Sequence, residues 1–340
     1  MIIILQSDAD ESQIQSITDT LEEYGYGSHV SRGKERTIIG AIGTEPEMRG
    51  RLMAKFRGWD FVEKVIPVLK SYKLVSREGR EERSTVKIGD ATFGPGRVNV
   101  IAGPCAVEGE EQTLQAARRA KKAGAHVLRG GAYKPRTSPY DFQGKGEEGL
   151  KILAAAREET GLPVVTEARA VHHIEKVVEY ADAIQIGARN MQHFNLLKEA
   201  GRTGMPVLLK RGFASTVDEW LKAAEYIASN DNLNIILCER GIRTFSDELR
   251  FTPDLGIVPR VQQLSHLPVI VDPSHSTGKR NLVSDVARAA VAVGAEGVMV
   301  EMTPDPESAL CDSSQQMAPE GLDALLDSLR KVASAVEKSM

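Results

Sequence analysis

Between Val98 and the C-terminus one pattern occurs eight times: a short apolar run ends abruptly in a charged or metal-ligating residue, and a helical stretch follows. The runs are VNVIAGPC, HVLRGG, PVVTE, AIQIGAR, PVLLKR, NIILCER, PVIVDPSH and GVMVE. Eight strand–helix units in a row predict an α/β fold, a (β/α)8 TIM barrel, whose active site lies at the C-terminal ends of its strands. The residues there are Cys105, Arg129, Glu167, Arg189, Lys210, Glu239, Arg240, Asp272, His275 and Glu301. Several cations beside metal-ligating groups point to chemistry on anionic small molecules.

The 340 residues accommodate a barrel of about 250 residues and a smaller appended domain. Residues 1–76 predict that domain. MIIIL reads as a strand. Asp8 or Asp10 then caps a helix whose apolar face is Ile14, Ile17, Leu21 and Tyr24, ended by Gly25 and Gly27. SHVSRG and RTIIGAIG form two strands around Gly33 and Lys34, before a helix near Pro46–Phe56 and a strand near Val62–Leu69. This β-α-β-β-α-β order is that of a ferredoxin-like domain. Residues 77–97 hold a linker and a hairpin at the barrel bottom, with SREGREERS (76–84) read as solvated. Residues 98–340 hold the barrel. Its helices are expected near 109–123, 147–160, 172–180, 193–201, 217–229, 255–264, 283–294 and 319–337. Strand 2 is followed by the longest loop, GGAYKPRTSPYDFQGKGE, rich in Gly, Pro and cations, where function is expected.

A net charge of −4 argues against binding to nucleic acid or an anionic membrane surface. No apolar run approaches the about 18 residues that span a bilayer, and MIIIL is too short for a signal-peptide core. Three widely spaced cysteines do not read as a disulfide framework, so the expected setting is a reducing cytoplasm.

In a closed barrel strands 7, 8 and 1 are neighbours, so Cys105, His275, Glu301 and the loop residue Asp312 are expected to converge. This mixed S/N/O set suits one divalent transition ion, Mn, Fe, Co or Zn, better than Mg or Ca. Cys238 reads as packing, whereas Cys311, beside Asp312, is placed to approach Cys105 and oxidise with it. The other five histidines, 29 aside, read as surface or packing groups: His126, His172, His173, His193 and His266. Arg129, Lys134, Arg136, Arg189, Lys210 and Arg240, with Arg211 and Arg243 as further candidates, fall in segments of the same rim. Glu147, Glu148, Glu167 and Glu239 are available as structural partners for some of them. The cations still outnumber the acids once Glu301 and Asp312 serve a metal, which suggests two phosphates or a phosphate plus a carboxylate.

At IAGPCAVE (101–108), VLRGGAYKPRTSPYDFQG (127–144), IQIGARN (184–190), LLKRGF (208–213), ILCERGIRTF (236–245) and VDPSHSTGKR (271–280) the chain closely resembles 3-deoxy-D-arabino-heptulosonate 7-phosphate (DAHP) synthase. The likeness is to the type I branch with a ferredoxin-like domain before the barrel, and it covers essentially the whole chain. The related 3-deoxy-D-manno-octulosonate 8-phosphate synthases carry a different K-A-N-R-S-S segment where this chain has Lys134-Pro135-Arg136-Thr137. They are the alternative within enzymes; a catalytically inert amino-acid sensor is the alternative outside them. The family usually has glycine after the loop aspartate, and here Ser313 follows Asp312.

The resemblance implies metal-dependent condensation of phosphoenolpyruvate with erythrose 4-phosphate, releasing phosphate, as the first step of the shikimate pathway. By the same resemblance Arg129, Lys134, Arg189, Lys210 and Arg240 would hold phosphoenolpyruvate, and Pro135, Arg136 and Thr137 erythrose 4-phosphate. Cys105, His275, Glu301 and Asp312 would bind the metal, Lys134 would donate a proton, and His275 or Glu239 would position water. Ferredoxin-like domains of this branch confer feedback inhibition by tyrosine or phenylalanine, and a homotetramer is implied. His29 and Ser31 alternate along one strand, face one side, and are the expected contacts for such an inhibitor.

Overall fold

The computed structural model describes the chain except residues 34, 35, 45, 68–71, 79, 81, 135–137 and 139; of residues 46 and 47 only the backbone is described. Two compact units are present, Met1–Glu81 and Glu82–Met340.

In the first unit β1 (Ile2–Leu5), α1 (Glu11–Glu23), β2 (Gly27–Arg32), β3 (Thr37–Ile42), α2 (Pro46–Arg57) and β4 (Val62–Ile66) follow the ferredoxin-like order. The sheet runs β2-β3-β1-β4 and β1 is antiparallel to both neighbours. Asp10 settles the start of α1: its carboxylate accepts from Gln13 N at 2.9 Å, and the Gln13 side chain accepts from Asp10 N at 3.0 Å. Such a capping box is worth about 1 kcal/mol. Ile14, Ile17 and Leu21 enter the core, but Tyr24 is 44% exposed. Its expected place on the apolar face is corrected because it is the C-cap, where helical spacing stops applying. Of the expected last strand, Ile66 is the final residue in regular pairing, and residues 68 and 69 lie outside the described ones, as does Lys34 of the hairpin turn.

The second unit opens with an antiparallel hairpin of β5 (Val86–Ile88) and β6 (Ala91–Phe93). Its barrel strands are β7 (Asn99–Gly103), β8 (Val127–Arg129), β9 (Val164–Glu167), β10 (Ala183–Ile186), β11 (Val207–Lys210), β12 (Ile235–Glu239), β13 (Val269–Val271) and β14 (Gly297–Glu301). All pair in parallel with their sequence neighbours, and β14 closes on β7. Helices follow the strands: α3 (Glu110–Ala123), α4 (Glu147–Thr160), α5 (Ile174–Tyr180), α6 (Phe194–Arg202), α7 (Val217–Ala228), α8 (Ile257–Leu264), α9 (Pro273–Thr277), α10 (Arg280–Ala292) and α11 (Pro319–Ala335). None of them is long and apolar enough to cross a membrane among the described residues.

Ile101, Val127, Val165, Ala183, Leu208, Ile236, Ile270 and Met299, one from each strand, form an interior layer with Val86, Ile88, Ala91 and Phe93 of the hairpin. Most come from the first or second positions of their strands, so the hairpin plugs the N-terminal mouth and leaves the C-terminal ends for polar groups. Cys238, two residues beyond Ile236 on β12, packs in the same apolar cluster, as expected.

Two features differ from the sequence reading. The tract 76–84 is not solvated throughout: Arg83 pairs with buried Glu296 and donates to Leu267 O at 3.0 Å. Local charge density cannot reveal a partner 213 residues away. Helix α9 was not anticipated, since five residues are too few to display a period. Asp272 caps it by accepting from His275 N at 2.9 Å, with Pro273 at the first helical position.

Candidate active site

Beyond the C-terminal strand ends, the network is organised around Glu301 at the end of β14. Its carboxylate pairs with Arg129 from β8, lies 3.4 Å from His275 Nε2, and accepts from Gln315 Nε2 at 2.6 Å. Glu301 and these three partners are brought together only by barrel closure. On one side, Cys105 lies two residues past β7. Its Sγ is 3.0 Å from Lys134 Nζ, 3.2 Å from Cys311 Sγ and 3.5 Å from Asp312 Oδ2. On the other, Asp272 pairs with Lys210 from β11 and holds His275 Nδ1 at 2.7 Å.

Two sets of ligand atoms each lie within 4.8 Å of one another: His275, Glu301 and Asp312; and Cys105, Cys311 and Asp312. The four side chains expected to converge therefore do so with Asp312 common to both sets, and Cys311 joins them. Asp312 itself adopts φ 50°, a conformation aspartate tolerates better than most residues. Its loop is held where the family pattern has glycine by Arg280, which donates to Ser313 O at 2.9 Å.

The electrostatics suit a cation. Burial alone would raise the carboxyl of Glu301, but His275, Arg129 and Lys134 outweigh it and hold it below the ordinary range. Burial likewise opposes the ionised form of Asp312, yet Arg250, His275 and Lys134 keep it low. Burial lowers His275 more than Asp272 and Glu301 raise it, so the imidazole is neutral near pH 7 and has a lone pair to offer. A carboxylate holding the other ring nitrogen is the usual outer partner of a metal-bound histidine. The thiol of Cys105 is raised by its hydrogen bond to Cys311 and by burial despite Lys134 beside it, so a bound metal ion would be needed to favour its thiolate. A sulfur, a neutral imidazole and two carboxylates fit a divalent transition ion.

The cations divide. Arg129 and Lys210 are 4% exposed and paired with acids, as is Arg211, which meets Glu239 and Asp254 at 2.9 Å each. Arg211 is thereby corrected from rim cation to structural partner. Glu239 is fully buried and doubly engaged, since it also accepts from Gly241 N at 2.6 Å; burial raises its carboxyl despite Arg211. Lys134 keeps its proton: burial opposes the charge, but Cys105, Cys311 and Glu301 outweigh burial. Arg240 is 3% exposed with Nη1 unpartnered among the described residues, and burial lowers it to about 10. Arg189 and Arg243 are exposed, and with Arg240 they lie over the ring of Phe213. Glu167 accepts from Gln185 Nε2 at 3.2 Å and forms no ion pair with these cations among the described residues. Pro135, Arg136 and Thr137 lie outside the described residues.

Several groups touching this network had no separate signal in the sequence. Gln315 bridges Glu301 and Arg250, whose Nη1 donates to its Oε1 at 2.8 Å and lies 3.3 Å from Asp312. Arg169 donates to Lys134 O at 2.8 Å, and His173 stacks on Tyr133 with centroids 3.8 Å apart. None has a motif of its own; only their loop positions hinted at them. In the first unit His29 and Ser31 are exposed on the same side of the edge strand β2, paired in register with Gly40 and Ile38.

Residues 77–338 match the DAHP synthetase I family, and residues 1–70 match the DAHP synthase ferredoxin-like domain. A phospho-2-dehydro-3-deoxyheptonate aldolase of Thermotoga maritima is 50% identical over 336 residues, covering 99% of this chain and 98% of its own. The crystal structure of the phospho-2-dehydro-3-deoxyheptonate aldolase (DAHP synthase) from Thermotoga maritima superimposes with a TM-score of 0.79 at 48% identity, covering 99% of this chain and 98% of that one. A 2-dehydro-3-deoxyphosphooctonate aldolase of Magnetococcus marinus is more distant, 35% identical over 267 residues, or 72% of this chain and 92% of its own.

Proposed function

The chain belongs to the DAHP synthetase I family, and on that premise we propose that its barrel condenses phosphoenolpyruvate with erythrose 4-phosphate and water to give DAHP and inorganic phosphate, opening the shikimate route to aromatic amino acids. The observation that carries this reading is one rim on which a mixed metal-ligating cluster adjoins buried cations, two of which, Arg129 and Arg240, each keep one N–H group unengaged among the described residues.

Arg129, Lys134, Arg189, Lys210 and Arg240 hold phosphoenolpyruvate in this reading, and Pro135, Arg136 and Thr137 hold erythrose 4-phosphate. Cys105, His275, Glu301 and Asp312 are the ligands of one divalent ion, Mn, Fe, Co or Zn. When bound, that ion supplies Lewis acidity toward the aldehyde oxygen. Attack by C3 of phosphoenolpyruvate turns the aldehyde oxygen into an alkoxide and leaves positive charge at C2. Lys134, kept protonated beside Cys105 and Glu301, is placed to give the alkoxide its proton. Water adds at C2, positioned by His275 or by Glu239, which Arg211 and Gly241 hold fixed. The hemiketal phosphate then collapses with cleavage of its C–O bond.

Boundaries at 1–76, 77–97 and 98–340 separate a regulatory domain, a linker with bottom hairpin, and the catalytic barrel. His29 and Ser31 take part in binding tyrosine or phenylalanine as feedback inhibitor, the chain acts as a cytoplasmic homotetramer, and neither nucleic acid nor membrane is a partner. The decisive assay is phosphate release from phosphoenolpyruvate with erythrose 4-phosphate, run with and without chelator. Isotopic oxygen in the C2 bridge should leave with phosphate. Retention of that oxygen in the sugar would contradict the route, and preference for arabinose 5-phosphate would assign the octulosonate reaction instead.

A further inference from the structure

Arg129, Lys210 and Arg211 each meet a carboxylate, whereas Arg189, Arg240 and Arg243 have none within salt-bridge distance among the described residues. They share an aromatic ring instead. The guanidinium carbons of Arg189, Arg240 and Arg243 lie 5.3, 5.0 and 5.9 Å from the centroid of Phe213. Arg240 lies closer still to Phe251, at 3.9 Å, and the two rings stack with centroids 5.1 Å apart and planes 19° apart.

Three like charges around one point repel unless something offsets them, and the negative face of an aromatic quadrupole does so. A ring also differs from a carboxylate in what it leaves free. A carboxylate accepts from the N–H edge of a guanidinium and neutralises it, so an incoming anion must displace it. A ring has no acceptor oxygen and does not neutralise the guanidinium. Arg240 shows the consequence: among the described residues Nη1 is a buried donor with no acceptor, and Nη2 reaches only His275 O at 3.4 Å. A buried N–H left in this state is costly, and an anionic oxygen would satisfy it.

The backbone holds both rings in place. Phe213 lies three residues past β11, and its carbonyl accepts from Arg243 N at 2.6 Å. Phe251 N donates to Ser276 O at 2.9 Å, and an Ile242–Thr252 bridge folds the intervening loop back so that Arg240 and Phe251 meet.

We propose that Phe213 and Phe251 are positioning residues, an aromatic platform that holds Arg240 and Arg189 without neutralising them, so that their N–H groups serve the anionic groups of phosphoenolpyruvate. This rests on the reading that those two arginines bind phosphoenolpyruvate.

The test replaces Phe251, and separately Phe213, by phenylalanines bearing one, two and three fluorines, which keep shape while weakening the negative face. Binding of phosphoenolpyruvate alone to the metal-loaded full chain is measured by calorimetry, and KM for erythrose 4-phosphate in the coupled assay. The dissociation constant should climb with each fluorine, by about tenfold across the series, while KM for erythrose 4-phosphate stays put. Phe213→Tyr should retain binding and Phe213→Leu should lose it. A flat fluorine series in a chain that otherwise makes DAHP overturns the platform and leaves the function standing. A wild-type chain that binds no phosphoenolpyruvate overturns both.

Discussion

Replacing Gly103 by alanine probes how closely the backbone must pack to bring the two halves of the site together. Gly103 ends β7 with φ 153°, a conformation that side-chain-bearing residues rarely adopt. A Cβ there would lie 2.1 Å from the carbonyl oxygen of Arg129 and 3.0 Å from Leu128 Cδ1. Real Cβ contacts essentially never fall below 3.0 Å, so β7 and β8 must part by the difference, 0.9 Å or more. The obstacle is backbone and cannot rotate away. Gly103 O also accepts from Met302 N at 2.8 Å, and Gly103 lies in register with Glu301. The shift therefore reaches Arg129 on one side and Glu301 on the other, the two partners of the central ion pair. A misplacement of this size costs catalysis about 100-fold. Strain and lost packing should remove about 2–4 kcal/mol of stability, or roughly 5–15 °C in melting temperature for a unit of this size. Phosphate-release kinetics and thermal melts measure both. Gly109→Ala is the control, because nothing lies within 4 Å of its Cβ and its φ of −170° suits any residue. A Gly103→Ala chain that melts and turns over like the wild type would refute the reasoning.

Cys105→Ser should lose most bound metal and activity, whereas Cys238→Ser should keep both while losing about 1–3 kcal/mol for a hydroxyl in an apolar layer; equal metal loss in the two, read by elemental analysis, would undo the ligand assignment. Mild oxidation should join Cys105 to Cys311, whose sulfurs are 3.2 Å apart, and expel metal until a thiol reductant restores it; unchanged metal content with both thiols consumed would exclude this. The carboxyl of Asp272 would be raised by burial, but His275 and Lys210 hold it well below its ordinary 3.8. Its stabilisation is therefore complete above that value and disappears as the pH falls through the lower folded one. Metal-free Asp272→Asn should be on the order of 3 kcal/mol less stable at neutral pH, since Lys210 loses its partner, and its stability should fall less steeply below pH 4 than the wild type's; parallel acid limbs in thermal melts would count against the pairing. Removing residues 1–76 should abolish inhibition by tyrosine or phenylalanine and spare catalysis, with His29→Ala weakening inhibition alone; an unaltered inhibition curve excludes the regulatory role.

Much of the site could be read before any coordinates, because a parallel barrel leaves strong marks along the chain. Each strand is buried on both faces, so its apolar run is continuous and breaks off where the interior opens to ligand. Arg129, Lys210, Glu239 and Glu301 were legible for that reason. Spacing also marked the core of α1, though it overran at Tyr24, where the helix ends. What escaped were groups whose role depends on a partner far away. Gln315 is an ordinary loop amide until Glu301 and Arg250 flank it. Arg83 reads as solvated until Glu296 arrives beside it.

Taken alone, the order of residues dictated the alternation of strands and helices, the ferredoxin-like succession of the first unit, and which side chains reach the rim. Period and burial are local properties, written within a few consecutive positions. Which rim cations are spent on internal carboxylates and which rest on aromatic faces was decided only in three dimensions. Arg211 and Arg240 look alike along the chain, each directly at a strand end. Arg211 finds Glu239 and Asp254, whereas Arg240 finds Phe213 and Phe251. The reason is physical: pair energies depend on distances between side chains from different loops, and those distances exist only once the barrel has closed.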